Sequence, residues 1–227
     1  MPPILKNKSF EGTMAASVSV AFFLEDIGQE AIVPAIFRRV AAEEGLESDQ
    51  LECRVLHSRG GGSLSAFTKF LKDAKKSPST NANLLVVGLD GNCKGFATRR
   101  DQILTKAQGS SFAEVIAAVP DPHVERWYLL DIPALENASG VHISLTPVPA
   151  KCEKNFYKHL LRQAFDGTEV TPPLGGIEYG ERIAGVMDLY NASKQDHGLG
   201  DFVAKSRAWL RRQLTSTLPN NEQEADA

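Results

Sequence analysis

Residues 17–24 read SVSVAFFL and are closed by Glu25; the run is apolar through its second half rather than alternating, as expected of a strand buried on both faces of a sheet. After a turn, residues 29–44 place Ile32, Ile36 and Val40, with Val33 and Phe37, at helical spacing until Gly45 stops the pattern. Pro34 leaves the start of this helix open: it belongs in a first turn or else kinks the helix, because an interior proline removes a backbone bond. A second strand over 51–57 runs into Ser58-Arg59-Gly60-Gly61-Gly62-Ser63. Leu64, Phe67, Phe70 and Leu71 then repeat at helical spacing, with Ser63 as N-cap.

The polar stretch 77–83 predicts a loop, and 84–89 a third strand of the fully buried type that ends at Asp90. A helix follows within 98–107. A fourth strand over 112–119 is halted by Pro120-Asp121-Pro122, and 124–130 reads as a short helix. This β-α alternation predicts an α/β fold: a mainly parallel sheet flanked by helices and joined by crossover connections. Beyond Asp131 the pattern becomes helical, with a proline-containing connector over 143–149, a helix within 152–165 and a turn-rich stretch over 166–176. Helices over 177–193 and 199–214 follow, separated by the breaker Asp196-His197-Gly198. The expected organisation is an N-terminal extension (1–13), an α/β domain (14–135), a C-terminal helical appendage (136–216) and a frayed, acidic tail (217–227).

Composition narrows the class. With 227 residues, 42% hydrophobic and 23% charged, the chain is long enough to bury a sizeable core and too apolar to be disordered throughout. No apolar run approaches the ~20 residues of a membrane span, so no membrane association and a cytoplasmic location are expected. Cys53, Cys93 and Cys152 show no CxxC spacing, which makes free thiols the expectation. Twenty-five Lys and Arg against 28 Asp and Glu give a net charge of -3, so any nucleic-acid contact must use local patches.

In an open α/β sheet the functional crevice lies beyond the carboxyl ends of the strands. Acids recur there: Glu25 and Asp26 end the first strand, Asp90 ends the third, and Asp121 follows the fourth, with Glu125 one helical turn beyond. Carboxylates gathered in one crevice repel unless protons or a cation neutralise them, and an all-oxygen set favours Mg²⁺ or Mn²⁺. Asn92, in Leu89-Asp90-Gly91-Asn92, offers a neutral carbonyl oxygen to the same site. Each acid taken singly is equally a helix cap or turn former; their joint placement shifts the balance. Lys94, Arg99 and Arg100 follow the Asp90 loop as candidate contacts to a phosphate backbone, and Lys151, Lys154, Lys158 and Arg162 form a second basic face. The Gly60–Gly62 run lacks the GxxxxGK[ST] pattern of a phosphate-binding loop, and Trp127 and Tyr128 read as packing residues between the sheet and the C-terminal helices.

These residues resemble the TOPRIM (topoisomerase–primase) domain, in particular short bacterial TOPRIM-like proteins related to the nuclease half of the overcoming-lysogenization-defect family. The resemblance spans about residues 17–131. Phe-Leu-Glu25-Asp26-Ile-Gly is similar to the family's strand-ending glutamate turn, and Val-Val-Gly-Leu-Asp90-Gly-Asn92 occupies the place of its Asp-x-Asp motif, departing at Asn92 where a second aspartate is expected. The stretch from Val119 through His123, Glu125 and Trp127 to Asp131 resembles a third motif, with Glu125 and Asp131 as a compensating pair of acids. The resemblance implies a metal-dependent nuclease, a hydrolase that cleaves phosphodiester bonds in DNA or RNA with Mg²⁺ or Mn²⁺. Glu25 would serve as ligand or general acid–base, Asp90 as principal ligand, and Glu125, Asp121 and Asn92 as further ligands. His123 is a proton donor to the leaving oxygen, ranked below the carboxylates. It further implies the toxic effector of an antiphage or toxin system controlled by an ATPase partner subunit, and it leaves a homo-oligomer open. The missing second aspartate supports an alternative: a catalytically weak TOPRIM-fold subunit that binds or regulates such an ATPase complex.

Overall fold

The structure, a computed structural model, describes residues 18–57, 64–76, 82–145 and 151–217. The N-terminal extension, the Ser63 cap, the glycine run at 60–62, most of the 77–83 loop, the prolines of the 143–149 connector and the tail from 218 lie outside the described residues.

A four-stranded, all-parallel sheet is built from β1 (Val18–Leu24), β2 (Leu51–His57), β3 (Leu84–Gly88) and β4 (Val115–Ala118) in the order β2-β1-β3-β4. The three residues expected at the start of β4 fall outside the strand; among them Phe112 is buried and stacks on Phe70 at 5.9 Å between ring centroids. Period-two geometry sorts the buried side chains onto two faces. Val18, Val20, Phe22, Leu24, Leu84, Val86, Ile116 and Ala118 face one core, and Ala21, Phe23, Leu85, Val87 and Ala117 face the other. Both faces are therefore covered, which explains the absence of alternation in β1 and β3.

The second core is roofed by α2 (Leu64–Ala74) and α3 (Phe96–Ala107), through Phe67, Leu71 and Ile103. The first is covered by α1 (Ile27–Glu43) and by the C-terminal helices. α1 begins two residues before the sequence expectation because the Asp26 carboxylate caps it, accepting the Gln29 N–H at 2.9 Å; Pro34 sits inside the helix, neither in its first turn nor at its end.

After β4 come α4 (Glu125–Tyr128) and α5 (Ile132–Ser139), then α6 (Phe156–Gln163), α7 (Gly180–Val186), α8 (Leu189–Gln195) and α9 (His197–Thr217). The single helix expected over 177–193 is instead a 3₁₀ turn (Ile177–Tyr179) followed by α7 and α8. The break has a chemical cause: Asp188 caps α8 by accepting the Asn191 N–H at 3.0 Å, while its own N–H donates to Asp131 Oδ2 at 2.7 Å. The predicted breaker at Asp196-His197-Gly198 is likewise a helix start, since Asp196 Oδ1 accepts the Leu199 N–H at 2.9 Å. Gly198 is needed there, because a Cβ would collide with the Val119 carbonyl oxygen at the end of β4.

The helical third is one layer of the main core. Trp127 stacks on Phe202 (6.2 Å, 17°) and donates its indole N–H to Asp196 Oδ1 at 3.1 Å, and Trp209 packs against Phe37 of α1 at 6.2 Å. Tyr128 is fully buried, and its hydroxyl lies 2.8 Å from the Gly28 carbonyl and 3.0 Å from that of Ile177. Arg207 and Arg211 of α9 pair with Glu44, tying α9 to the end of α1. No helix among the described residues is long and apolar enough to cross a membrane.

Cys93 and Cys152 depart from the free-thiol expectation: their sulfurs are joined, with Cα atoms 5.6 Å apart, while Cys53 is free. The link ties the loop after Asp90 to the segment that enters α6. Sequence spacing could not show it, since 59 residues separate the two cysteines and only the fold brings them together.

Candidate active site

The parallel sheet does what its topology predicts: the carboxyl ends of the central strands β1 and β3, and of β4 beside them, bring Glu25, Asp90, His123 and Glu125 to one crevice. Three contacts organise it. The Glu25 Oε2 atom accepts the backbone N–H of Asp90 at 2.8 Å. The Gln29 amide then bridges both acids: its Oε1 accepts the Glu25 backbone N–H at 3.0 Å, and its Nε2 donates to Asp90 Oδ1 at 2.8 Å. Finally, His123 Nδ1 lies 3.2 Å from Asp90 Oδ2.

Gln29 is fully buried, and sequence reasoning missed it. Its signal was a long polar side chain in the first turn of a helix, three residues after the capping Asp26, on a face that otherwise carries Ile32 and Ile36. Gly88 makes room for it. A Cβ at Gly88 would come within 2.5 Å of Gln29 Oε1 and 2.7 Å of Leu24 Cδ2.

Burial and crowding raise Glu25, Asp90 and Glu125 alike. The Glu25 carboxyl is pushed up to about 7, mainly by burial and then by the negative charges of Asp90 and Asp26, against the bond from the Asp90 N–H. Asp90 is raised by burial, although the His123 and Gln29 contacts favour its charged form. Glu125 is raised by burial and by the charges of Asp90 and Asp26. The hydrogen bond to Asp90 raises His123 in turn, so the His123–Asp90 pair holds a proton more tightly than a free imidazole would.

Several predicted site residues are placed elsewhere. Asp121 is committed to α3, its Oδ2 accepting the Phe96 N–H at 3.0 Å, and it packs so closely on Gly91 that a Cβ there would collide with it. Asn92 is exposed, in the left-handed region at φ 48°, and points its amide nitrogen at the Asp90 carbonyl (3.4 Å) rather than a carbonyl oxygen at the acids. Asp131 does not pair with Glu125; its carboxylate caps α5 by accepting the Ala134 N–H at 3.1 Å and receives the Asp188 N–H. Arg99, expected as a surface phosphate contact, is buried, and its Nε donates to the Asp90 carbonyl at 2.8 Å. It supports the Asp90 loop from beneath. Arg100 pairs with Asp101 at 2.8 Å and lies over the Phe96 ring, and Lys94 is exposed on the loop.

By donor chemistry the crevice suits a hard divalent cation. Glu25, Asp90 and Glu125 offer only oxygen, each engaged Asp90 oxygen keeps a second lone pair, and a cation would offset the burial and the mutual repulsion that raise their pKa values. Among the described residues, however, no three His, Cys, Asp or Glu side chains already close around a common point. Compared with protein-family models, with curated proteins and with solved structures, the chain matches none.

Proposed function

We propose that the chain is a metal-dependent nuclease of TOPRIM type, cleaving phosphodiester bonds in DNA or RNA with Mg²⁺ or Mn²⁺ held by Glu25, Asp90 and Glu125. One observation carries this reading. Glu25 and Asp90 are 65 residues apart in the chain, yet they share one hydrogen-bonded unit with His123 and Gln29 at the sheet's carboxyl edge, in which burial pushes Glu25 up to about 7. A bound divalent cation would supply charge stabilisation at the phosphate and a more acidic water. The chain's own residues do the rest. Glu25, at about 7 in the cation-free site, gives up its proton as it becomes a ligand, which sets cation uptake near neutral pH. His123, held by Asp90, is placed to give a proton to a leaving oxygen. Gln29 and Arg99 fix the orientation of Asp90 through its carboxylate and its carbonyl. An ATPase partner subunit and a role as a toxic antiphage effector belong to the same proposal, on the strength of the sequence resemblance.

A second reading, a catalytically weak subunit that binds nucleic acid or regulates such a complex, is favoured by one specific observation: Asn92 and Asp121, expected as ligands, are turned to other partners. Incubation of plasmid, linear duplex and single-stranded DNA and RNA with Mg²⁺ or Mn²⁺ separates the two. The nuclease reading expects cleavage by the wild type that Glu25→Ala and Asp90→Ala abolish. Binding without cleavage under every metal condition would overturn it in favour of the second.

A further inference from the structure

Beside the acidic crevice opens a cleft of about 300 Å³ whose two sides carry opposite charge. Asp26 and Glu125 line one part of it and Lys158 and Arg162 of α6 another. The cleft is braced. The Tyr128 hydroxyl bridges the carbonyls of Gly28 and Ile177, both in the lining, at 2.8 and 3.0 Å. The Glu178 carboxylate accepts the N–H groups of Leu174 and Gly176 at 3.2 and 2.9 Å, holding the loop on which Arg162 rests.

That loop is built for the arginine. Gly175 has φ 71°, and a Cβ on it would meet Arg162 Nε at 2.8 Å and Cγ at 2.9 Å. The stem of Arg162 thus lies flat on glycine backbone, which limits the rotamer freedom the side chain would lose on binding an anion. Lys158 and Arg162 are exposed and one helical turn apart on α6, each directly following a residue, Tyr157 or Leu161, that is buried in the core. Neither side chain has a hydrogen-bond or ion-pair partner among the described residues. Two like charges held at that spacing cost stability unless an anion neutralises them.

We propose that Lys158 and Arg162 bind the phosphodiester backbone of the nucleic-acid strand, holding a phosphate adjacent to the one presented to Glu25, Asp90 and Glu125. This rests on the nuclease reading and adds the strand-binding element that Arg99, being buried, does not provide. It gives the C-terminal helical region a substrate role.

The test is anisotropy of a labelled short single-stranded oligonucleotide with the full chain in EDTA, across a salt series, for wild type, Lys158→Gln/Arg162→Gln and the remote charge control Lys205→Gln. Because both cleft residues are exposed, unchanged circular dichroism and melting are expected of the double variant. Its affinity should fall about tenfold or more, and its dependence of log affinity on log salt should become shallower by about 1.4, the loss of two phosphate contacts on a single strand. The control should bind as wild type. If wild type binds and the double variant matches it in affinity and slope, the strand lies elsewhere and the inference falls while the nuclease reading stands. If wild type binds no oligonucleotide with or without Mn²⁺, both fall. Competition by inorganic phosphate or a mononucleotide as effective as by unlabelled strand would overturn the backbone assignment in favour of a small-phosphate site.

Discussion

The carboxylate of Glu25 accepts the backbone N–H of Asp90 at 2.8 Å, so the acid that ends β1 is fastened to the acid that ends β3. Because this bond runs to main chain, it fixes the position of Asp90 without neutralising it, and the two negative charges remain in contact with a buried surround. Glu25 answers by holding a proton up to about pH 7.

A pH dependence of stability follows. The carboxyl of Glu25 is raised from its ordinary 4.5 to about 7 on folding, so the folded chain binds more protons than the unfolded chain in that interval. The contribution is full below about pH 4.5 and is lost as pH rises through about 7. The raised His123, Asp90 and Glu125 act in the same direction. Melting in EDTA should therefore fall in temperature as pH rises across this interval, and Glu25→Gln should flatten the fall. A wild-type melting temperature that rises across it would contradict the electrostatics described here.

Gln29→Ala should be costly for a polar residue on the first turn of a helix. It strips partners from the Glu25 N–H and from Asp90 Oδ1 in a fully buried position and leaves a small void. Urea unfolding should show a loss of roughly 2–3 kcal/mol, and Gln29→Glu, which adds a fourth acid, should lose at least as much.

Asp196 is 2% exposed and accepts from Arg126, the Trp127 indole and the Leu199 N–H. Asp196→Ala leaves the Trp127 indole and the Leu199 N–H without their acceptor and Arg126 with only the Asp121 and Gln195 carbonyls, and should cost about 3–5 kcal/mol, visible as a lower urea midpoint. Loss of under 1 kcal/mol would mean that this junction between α4 and α9 does not hold the C-terminal helices to the sheet.

The Cys93–Cys152 link closes a loop across 59 residues of sequence separation, for which chain-entropy arguments give about 4 kcal/mol of stabilisation. Reducing agent should lower the melting temperature of the wild type and leave that of Cys93→Ser unchanged. Equal melting of the wild type with and without reductant would show that the link does not form in solution.

The order of strands and helices through Asp131 was legible because the second half of β1 and all of β3 are continuous apolar runs that a sheet covered on both faces accommodates, and that order alone put Glu25 and Asp90 at neighbouring strand ends. What could not be read was the second commitment of each polar side chain. Asp121, Asp131 and Asp188 look in sequence like any acid after an element, and only the fold shows that the α3 and α5 termini claim the first two. Arg99 reads as surface because charged residues on amphipathic helices usually are, whereas a carbonyl at the end of β3 draws it inward. Gln29 was invisible for the converse reason, a neutral residue whose two partners lie four and 61 positions away.

The proposed cation site of Glu25, Asp90 and Glu125 would hold protons when no cation is bound. Calorimetric titration with Mn²⁺ near neutral pH, in two buffers of different ionisation heat, tests it most directly. Saturable binding with net proton release is expected in the wild type, with release reduced in Glu25→Gln and binding lost in Asp90→Asn. Absence of saturable Mn²⁺ binding by the wild type, or binding unaffected by both substitutions, would contradict it.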